Sequence, residues 1–455
     1  MKKIYVLTFS FLCIVITAGA QFTNVLNFND TNGAHPQGSL ILSEGVLYGM
    51  TFQGGKNSGN IFRIDTNGKG YKDLLDFNGT DGSEPYGSLA LSNGLLYGMA
   101  SHGGAYSFGS IFRIDTNGSS FKDIHDFKGP EGANPEGNLT LSGSKMYGMT
   151  LSGGVNGGGN IFSIDTDGNN IKDIYDFASA SDPTGSLTLS GNVLFGMVQQ
   201  GGAGNGYIFR VDTDGKGYKD IFNFNGTNGH APSGSLILIV NKLYGMTPAG
   251  GANSDGIIFR VDTNGTGYKD LLDLNGTNGK SPWGDLTFDG NMLYGMTYKG
   301  GTGGNGNVFR IDTNGSGYKD MFDFNRTDGW NPWGSLTISG SSLYGMTSYG
   351  GPNQYGNIFG FKDTAIITGV NELSVISGSV RLIPNPNNGK FSVDVKRLSG
   401  MGYIEVYNLL GEKVYSQYSM LNSQFLVDIS NQPNGMYIVK VITENSTQVV
   451  KFIKE

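Results

Sequence analysis

Cysteine is nearly absent from this 455-residue chain: the single residue, Cys13, lies in an N-terminal segment expected to be removed. A mature chain without it holds no disulfide framework, zinc–thiolate site or cysteine nucleophile. Charge is scarce too, at 15% of residues, and the balance is acidic, with a formal net charge of −7 and a pI near 5.2. That excludes a nucleic-acid partner, because phosphate binding needs a basic patch. Beyond the first twenty residues no apolar run approaches membrane length, so the protein is not expected to be integral to a membrane. Tryptophan is limited to three residues and histidine to four.

Residues 1–20 read as a signal peptide. Lys2 and Lys3 give a positive start, Ile4 to Ile16 is largely apolar, and Ala18-Gly19-Ala20 offers small residues for cleavage before Gln21. Phe11-Leu12 stands ahead of Cys13 where a lipoprotein site has small residues.

What the chain has in quantity is glycine, 75 residues, together with 23 tyrosines and 27 phenylalanines. They recur in register. Leu47-Tyr48-Gly49-Met50 is followed by Gly54-Gly55, Ile61-Phe62-Arg63-Ile64-Asp65 and Leu74-Leu75-Asp76-Phe77, and the aromatic of the first motif returns as Tyr97, Tyr147, Phe195, Tyr244, Tyr294 and Tyr344. Seven copies spaced by 48 to 50 residues define a repeat architecture. One unit reads as strand A over 38–43, the turn Glu44-Gly45, strand B over 46–52, a loop over 54–59 and strand C over 60–65. Asn67-Gly68 then predicts a type I′ turn into strand D over 71–77. Four short strands make one antiparallel blade, which buries too little surface to stand alone.

The last repeat lacks its fourth strand after Phe361, and a matching segment, Phe22 to Phe28, sits at the other end of the chain. The expected fold is therefore all-β: a seven-bladed β-propeller of four-stranded blades over residues 22–363, closed by an N-terminal strand. An open solenoid is the alternative, but it would not need a split repeat. Residues 364–379 read as a linker. Over 380–455, about seven short strands, including Lys390 to Val395, Tyr403 to Asn408 and Met436 to Ile442, predict a small β-sandwich domain.

The order hydrophobic-Tyr, Gly-Gly, an apolar strand ending in Asp and an aromatic strand is similar in layout to the kelch propeller. Its wording, Tyr-Gly-Met-Thr and Ile-Phe-Arg-Ile-Asp, more closely resembles the bacterial GloVer tandem repeats across 22–363. That resemblance implies a surface-exposed repeat protein and transfers no chemistry. The C-terminal segment resembles the type A C-terminal sorting domain of the type IX secretion system of Bacteroidota. The matching residues are Pro384, Asn385 and Pro386 with Gly389, Val406-Tyr407-Asn408 through Gly411-Glu412-Lys413-Val414, Asn434-Gly435-Met436-Tyr437, and Lys451 to Lys454. This resemblance implies the type IX machinery and its sortase as partners. It also implies export through both membranes, removal of the domain, and a passenger that is secreted or held at the cell surface.

Candidate chemistry is sparse. Asp65-Thr66-Asn67-Gly68 with Asp73 resembles an oxygen-rich calcium loop but lacks its third acidic position and distal Glu, so a structural turn is the preferred reading and weak calcium binding the alternative. No other cofactor is expected. Ser39, Ser88, Ser186, Ser235 and Ser335 repeat along the chain, and chemistry done once needs residues present once, so they read as structural. His35, His102, His125 and His230 have no metal-ligand spacing and read as exposed loop histidines.

Variation among repeats is more informative. Strand order places the D–A and B–C loops on one face of the ring, and the residue after proline in each D–A loop changes: Gln37, Tyr86, Glu136, Thr184, Ser233, Trp283, Trp333. Trp283, Trp330 and Trp333 all fall in D–A loops leading into the last two blades, with Tyr298, Tyr349 and Tyr355 in the B–C loops of those blades. Clustered rings on loops offer platforms for sugars or protein side chains, and the competing reading is that they pack the ring's mouth. The leading expectation is a non-catalytic surface module binding glycan or protein. A polysaccharide-acting hydrolase or lyase is the runner-up, favoured if a repeat-unique carboxylate pair lies in the mouth, and a structural or adhesion layer is third.

Overall fold

The computed structural model describes residues 21–201, 204–290, 292–363, 380–384, 387–395, 401–408, 413–420, 424–443 and 447–454. The expected signal peptide, the linker, and Asn385 and Pro386 of the sorting motif lie outside them. In the first blade Ile41–Ser43, Val46–Thr51, Asn60–Asp65 and Lys72–Asp76 pair in chain order, all antiparallel. Strand A starts later than expected because the residues before it bond to neighbouring blades; the Ser39 N–H donates to Ser88 Oγ at 2.6 Å.

The turns divide differently from the expectation. Left-handed geometry at both central residues occurs at Glu44 (φ 50°) and Gly45 (φ 79°), which gives the A–B turn its type I′ character. Of the central pair Asn67 and Gly68 at the C–D turn only Gly68 is left-handed. Its N–H donates to the Asp65 carbonyl at 2.9 Å. Asn67 Oδ1 accepts the Lys69 N–H at 2.9 Å, and this local bond holds Asn67 out of the left-handed region.

Among the described residues seven four-stranded sheets follow this plan. The last combines Thr337–Ser339, Ser342–Thr347 and Asn357–Lys362 with Gln21–Asn27, which pairs antiparallel along its outer edge. Phe22 of that strand stacks on Phe322 at 4.5 Å, and Phe28 beyond it is fully buried. At six interfaces between blades a phenylalanine following one outer strand meets the strand C phenylalanine of the next edge-on, with centroids 5.1 to 5.5 Å apart. Edge-to-face pairs of this kind contribute about 0.5–1.5 kcal/mol beyond the area they bury.

Around the axis the blades are joined by a closed circuit of hydrogen bonds. Backbone N–H groups donate from Ser39 to Ser88, Ser88 to Asn138, Asn138 to Ser186, Ser186 to Ser235, Ser235 to Asp285, Asp285 to Ser335, and Ser335 back to Ser39, each to a side-chain oxygen at 2.5–2.9 Å. The recurring serines are structural, and Asn138 and Asp285 supply the same acceptor. Glycine precedes each because the backbones nearly touch: a Cβ on Gly38 would lie 2.2 Å from the Gly87 carbonyl oxygen. The fold is a β-propeller, closed by its N-terminal strand.

The C-terminal residues form two further sheets. Val380–Ile383, Lys390–Val395 and Gln424–Asp428 pack on Lys413–Met420, Met401–Asn408, Gly435–Thr443 and Thr447–Lys454 as a small sandwich. Phe391, Val393 and Val427 of one sheet meet Ile404, Val439 and Phe452 of the other in a single core. Among the described residues no helix is long and apolar enough to cross a membrane.

Candidate ligand-binding mouth of the ring

Each D–A loop is pinned on both sides of its variable residue. The residue before proline takes φ between 51° and 55° in all seven loops, including Glu84, Ala231 and Ser281, for which that conformation is uncommon. Its N–H is held by the preceding blade in six of them, as Asn134 N–H is by the Phe108 carbonyl at 2.9 Å and Ser281 N–H by Asp255 at 2.9 Å. The proline itself is buried, and the following glycine joins the axial contact. Between these anchors one variable side chain per blade is left for the mouth.

Six of the seven variable residues line one cavity of ≈ 370 Å³, the exception being Gln37. Trp283 and Trp333 stack there with centroids 5.2 Å apart and planes 16° from parallel. Tyr298 stands edge-on to Trp333 at 5.2 Å, behind the stack. Tyr86 lines the same cavity and leans on Phe52 at 4.7 Å. Both indoles and Tyr86 are half-buried, so each keeps part of its ring exposed.

The other three candidate aromatics are elsewhere. Trp330 pairs by backbone with Tyr349, carries Arg326 over its ring at 5.9 Å, and is not among the residues lining the cavity. Tyr349 and Tyr355 both lie tilted against His35, whose Nδ1 is 2.9 Å from the Ser348 carbonyl oxygen. This second cluster joins the last blade to the first.

Two carboxylates complete the mouth. Glu136 occupies the variable position of its loop, and Asp182 stands one residue before the proline of the next. Burial, then the charge of Asp182, pushes the Glu136 carboxyl up to about 7. Burial and then the charge of Glu136 raise the Tyr86 phenol as well. Glu136 was visible in the sequence as the one acidic residue at the variable position. Asp182 gave no signal there, because its convergence on Glu136 depends on the curvature of the ring.

The histidines need correction. Only His102 is exposed, 3.3 Å from Glu84. His125 lies on the strand Lys122–Asp126 with its side chain 11% exposed, since it occupies the position filled by Leu75, Tyr175 or Phe222 in other repeats and faces the next blade. His35 is half-buried against the rings of Tyr349 and Tyr355, and His230 is half-buried. In the suspected calcium loop Asp73 lies against Asp76 and not Asp65; burial and that neighbour push its carboxyl up to about 6. Among the described residues no group of three or more His, Cys, Asp or Glu could hold a metal ion.

Sorting-motif residues far apart in sequence come together. The Lys454 ammonium donates to Asn434 Oδ1 at 2.9 Å, and its aliphatic stem lies so close to Gly389 that a Cβ there would meet it at 2.6 Å. Gly435 pairs with Lys454, and buried Tyr437 stacks on Phe452 and donates to the Pro433 carbonyl at 2.6 Å. Pro384 and Lys451 are exposed.

A closed ring of four-stranded blades with a polar, aromatic-lined mouth defines a β-propeller. The chain belongs to the Gloeobacter/Verrucomicrobia repeat family, whose profile matches residues 14–205, 59–242 and 200–382, and residues 381–455 match the secretion-system C-terminal sorting domain. That domain marks the protein for handling by the type IX machinery and export to the cell surface or medium. No curated protein matches the chain. Similar solved structures include an oligogalacturonate lyase in complex with manganese, at 12% identity and a TM-score of 0.50, covering 76% of this chain and 94% of that one. Another is the GH74 xyloglucanase from Xanthomonas campestris, at 12% identity and a TM-score of 0.50, covering 74% of this chain and 55% of that one. At such identity the likeness is one of fold.

Proposed function

We propose that residues 22–363 are an exported passenger that binds glycan in its mouth, stacking a sugar ring on Trp283 and Trp333, after the system's sortase has removed the sorting domain. The observation that carries this is the half-buried indole pair beside polar residues in a cavity of ≈ 370 Å³. Flat apolar rings bordered by hydroxyl, amide and carboxylate groups match the two faces of a pyranose, one apolar and one rich in hydroxyls. Large exposed hydrophobics of the propeller, Tyr106, Phe108, Val155 and Tyr349, also all lie in B–C loops on this face.

The test is affinity electrophoresis of the passenger against a panel of soluble polysaccharides, with the Trp283→Ala/Trp333→Ala variant beside it. Retention by at least one polymer is expected, weakened about tenfold or more in the variant, or roughly 1.4 kcal/mol. The melting temperature should change little. Unfolding of the variant, at the cost of about 3–5 kcal/mol per ring expected of core residues, would assign the tryptophans to packing.

A second reading has its own observation. Glu136, pushed up to about 7 and the one carboxylate at its position among the repeats, lines the same mouth as Asp182, as a general acid and its ionised partner would. Similar propellers include a lyase and a xyloglucanase. Reducing ends or unsaturated products released from the same panel, and lost in Glu136→Gln, would move the protein from binder to enzyme.

A further inference from the structure

The lining of the mouth has charge of one sign. Glu136 and Asp182 contribute two carboxylates, and no lysine, arginine or histidine is among the residues lining the cavity. Beside burial, the charge of Asp182 raises the Glu136 carboxyl and the charge of Glu136 raises the Tyr86 phenol. A polar group there also lacks a partner: Ser233 is 9% exposed, lines the cavity, and its Oγ makes no hydrogen bond. Such an oxygen is normally satisfied by protein, water or ligand. Its neighbours are already engaged, with Gln199 donating to Thr184 Oγ1 at 3.0 Å and Thr184 donating to the Ser233 carbonyl at 3.2 Å.

Building on the glycan-binding reading, we propose that the mouth selects an amino sugar: a pyranose whose ring stacks on Trp283 or Trp333 while its ammonium group pairs with Glu136 and Asp182. An ammonium is attracted by an indole face and by a carboxylate alike, so the mouth combines the two groups in this cavity that such a ligand recognises. A uronate or sulfated sugar would set its anion against the Asp182 carboxylate and a Glu136 that ionises near 7, with no cation among the lining residues to relieve it. An ammonium beside Glu136 favours its ionised form and so opposes the rise that burial and Asp182 impose.

The experiment is calorimetric titration of the passenger with glucosamine hexamer, N-acetylglucosamine hexamer, cellohexaose, oligogalacturonate and oligolysine, in mildly acidic buffer of low ionic strength. The glucosamine hexamer should bind at least about tenfold more tightly than its acetylated counterpart, and added salt should narrow the gap. Glu136→Gln/Asp182→Asn should erase the preference and leave any affinity for the neutral hexamers; Glu136→Gln alone gives the same direction should the double variant misfold. Equal affinity for the two chito-hexamers, or preference for oligogalacturonate, overturns the proposal while leaving a glycan-binding mouth. Tighter binding of oligolysine overturns it by placing the ammonium on a protein. If none of the sugars binds, both the proposal and the reading beneath it fall.

Discussion

In the second blade Asp123 lies against Asp126, and burial together with that neighbour's charge pushes its carboxyl up to about 7. Asp73, Asp173 and Asp270 are pushed to about 6 in the same way, and Asp320 is raised. In these folded pairs protons are held where the unfolded chain has lost them. The associated stability is present in full below the unfolded value of 3.8 and is lost as pH rises through about 6 to 7. His125 works against this, because burial lowers its pKa and its contribution falls on acidification. With these five carboxyls, and Glu136 and Asp285 also raised, against one histidine, the passenger should melt a few degrees higher at about pH 5 than at about pH 8. Asp123→Asn should flatten that slope; a melting temperature that rises steadily with pH would show that the pairs do not share protons. The repeated Lys-Asp-x-x-Asp was plain in the sequence, but its pairing was not, because a bulge between Ile111 and Phe112 sets how strand D meets strand C.

At the scale of the element, the N-terminal strand is the piece whose role followed most directly from the sequence. A repeat split between the two chain ends leaves few arrangements other than a closed ring, and Gln21–Asn27 does pair with Asn357–Lys362. Deleting 22–28 should expose the edge of Asn357–Lys362 and leave Phe322 and Phe62 without the rings they meet. Unpaired edges of this kind recruit other chains. The truncated passenger should therefore aggregate on warming, and Phe28→Ala alone should cost about 3–5 kcal/mol in a denaturant titration. A truncated protein that stays monomeric and melts within a degree or two of the intact one would leave the strand without its closing role. Turn chemistry was less legible. Asn-Gly suggested the type I′ turn on the wrong side of the blade, since dipeptide preference does not register a competing side-chain bond such as that from Lys69 to Asn67.

For the whole molecule, export is inscribed at the C-terminus, and the proposed recognition falls to the loops of one face. The sequence pointed to that face through variation, but it grouped all three tryptophans together. Ring geometry separates them: Trp283 and Trp333 share the mouth, while Trp330 turns toward Tyr349 and Arg326. Burial at equivalent loop positions depends on where neighbouring blades sit, which a repeat alignment within one chain does not report. The separation also provides a probe. With Trp330 replaced by phenylalanine, the only indoles left in the chain are the two in the mouth. Fluorescence titration of the Trp330→Phe passenger with soluble glycans tests the central claim most directly. A saturable change in emission, with a midpoint matching calorimetry on the same sugar, is the expected result. Glycan binding by calorimetry with no change in emission would place the ligand outside the mouth and contradict the account.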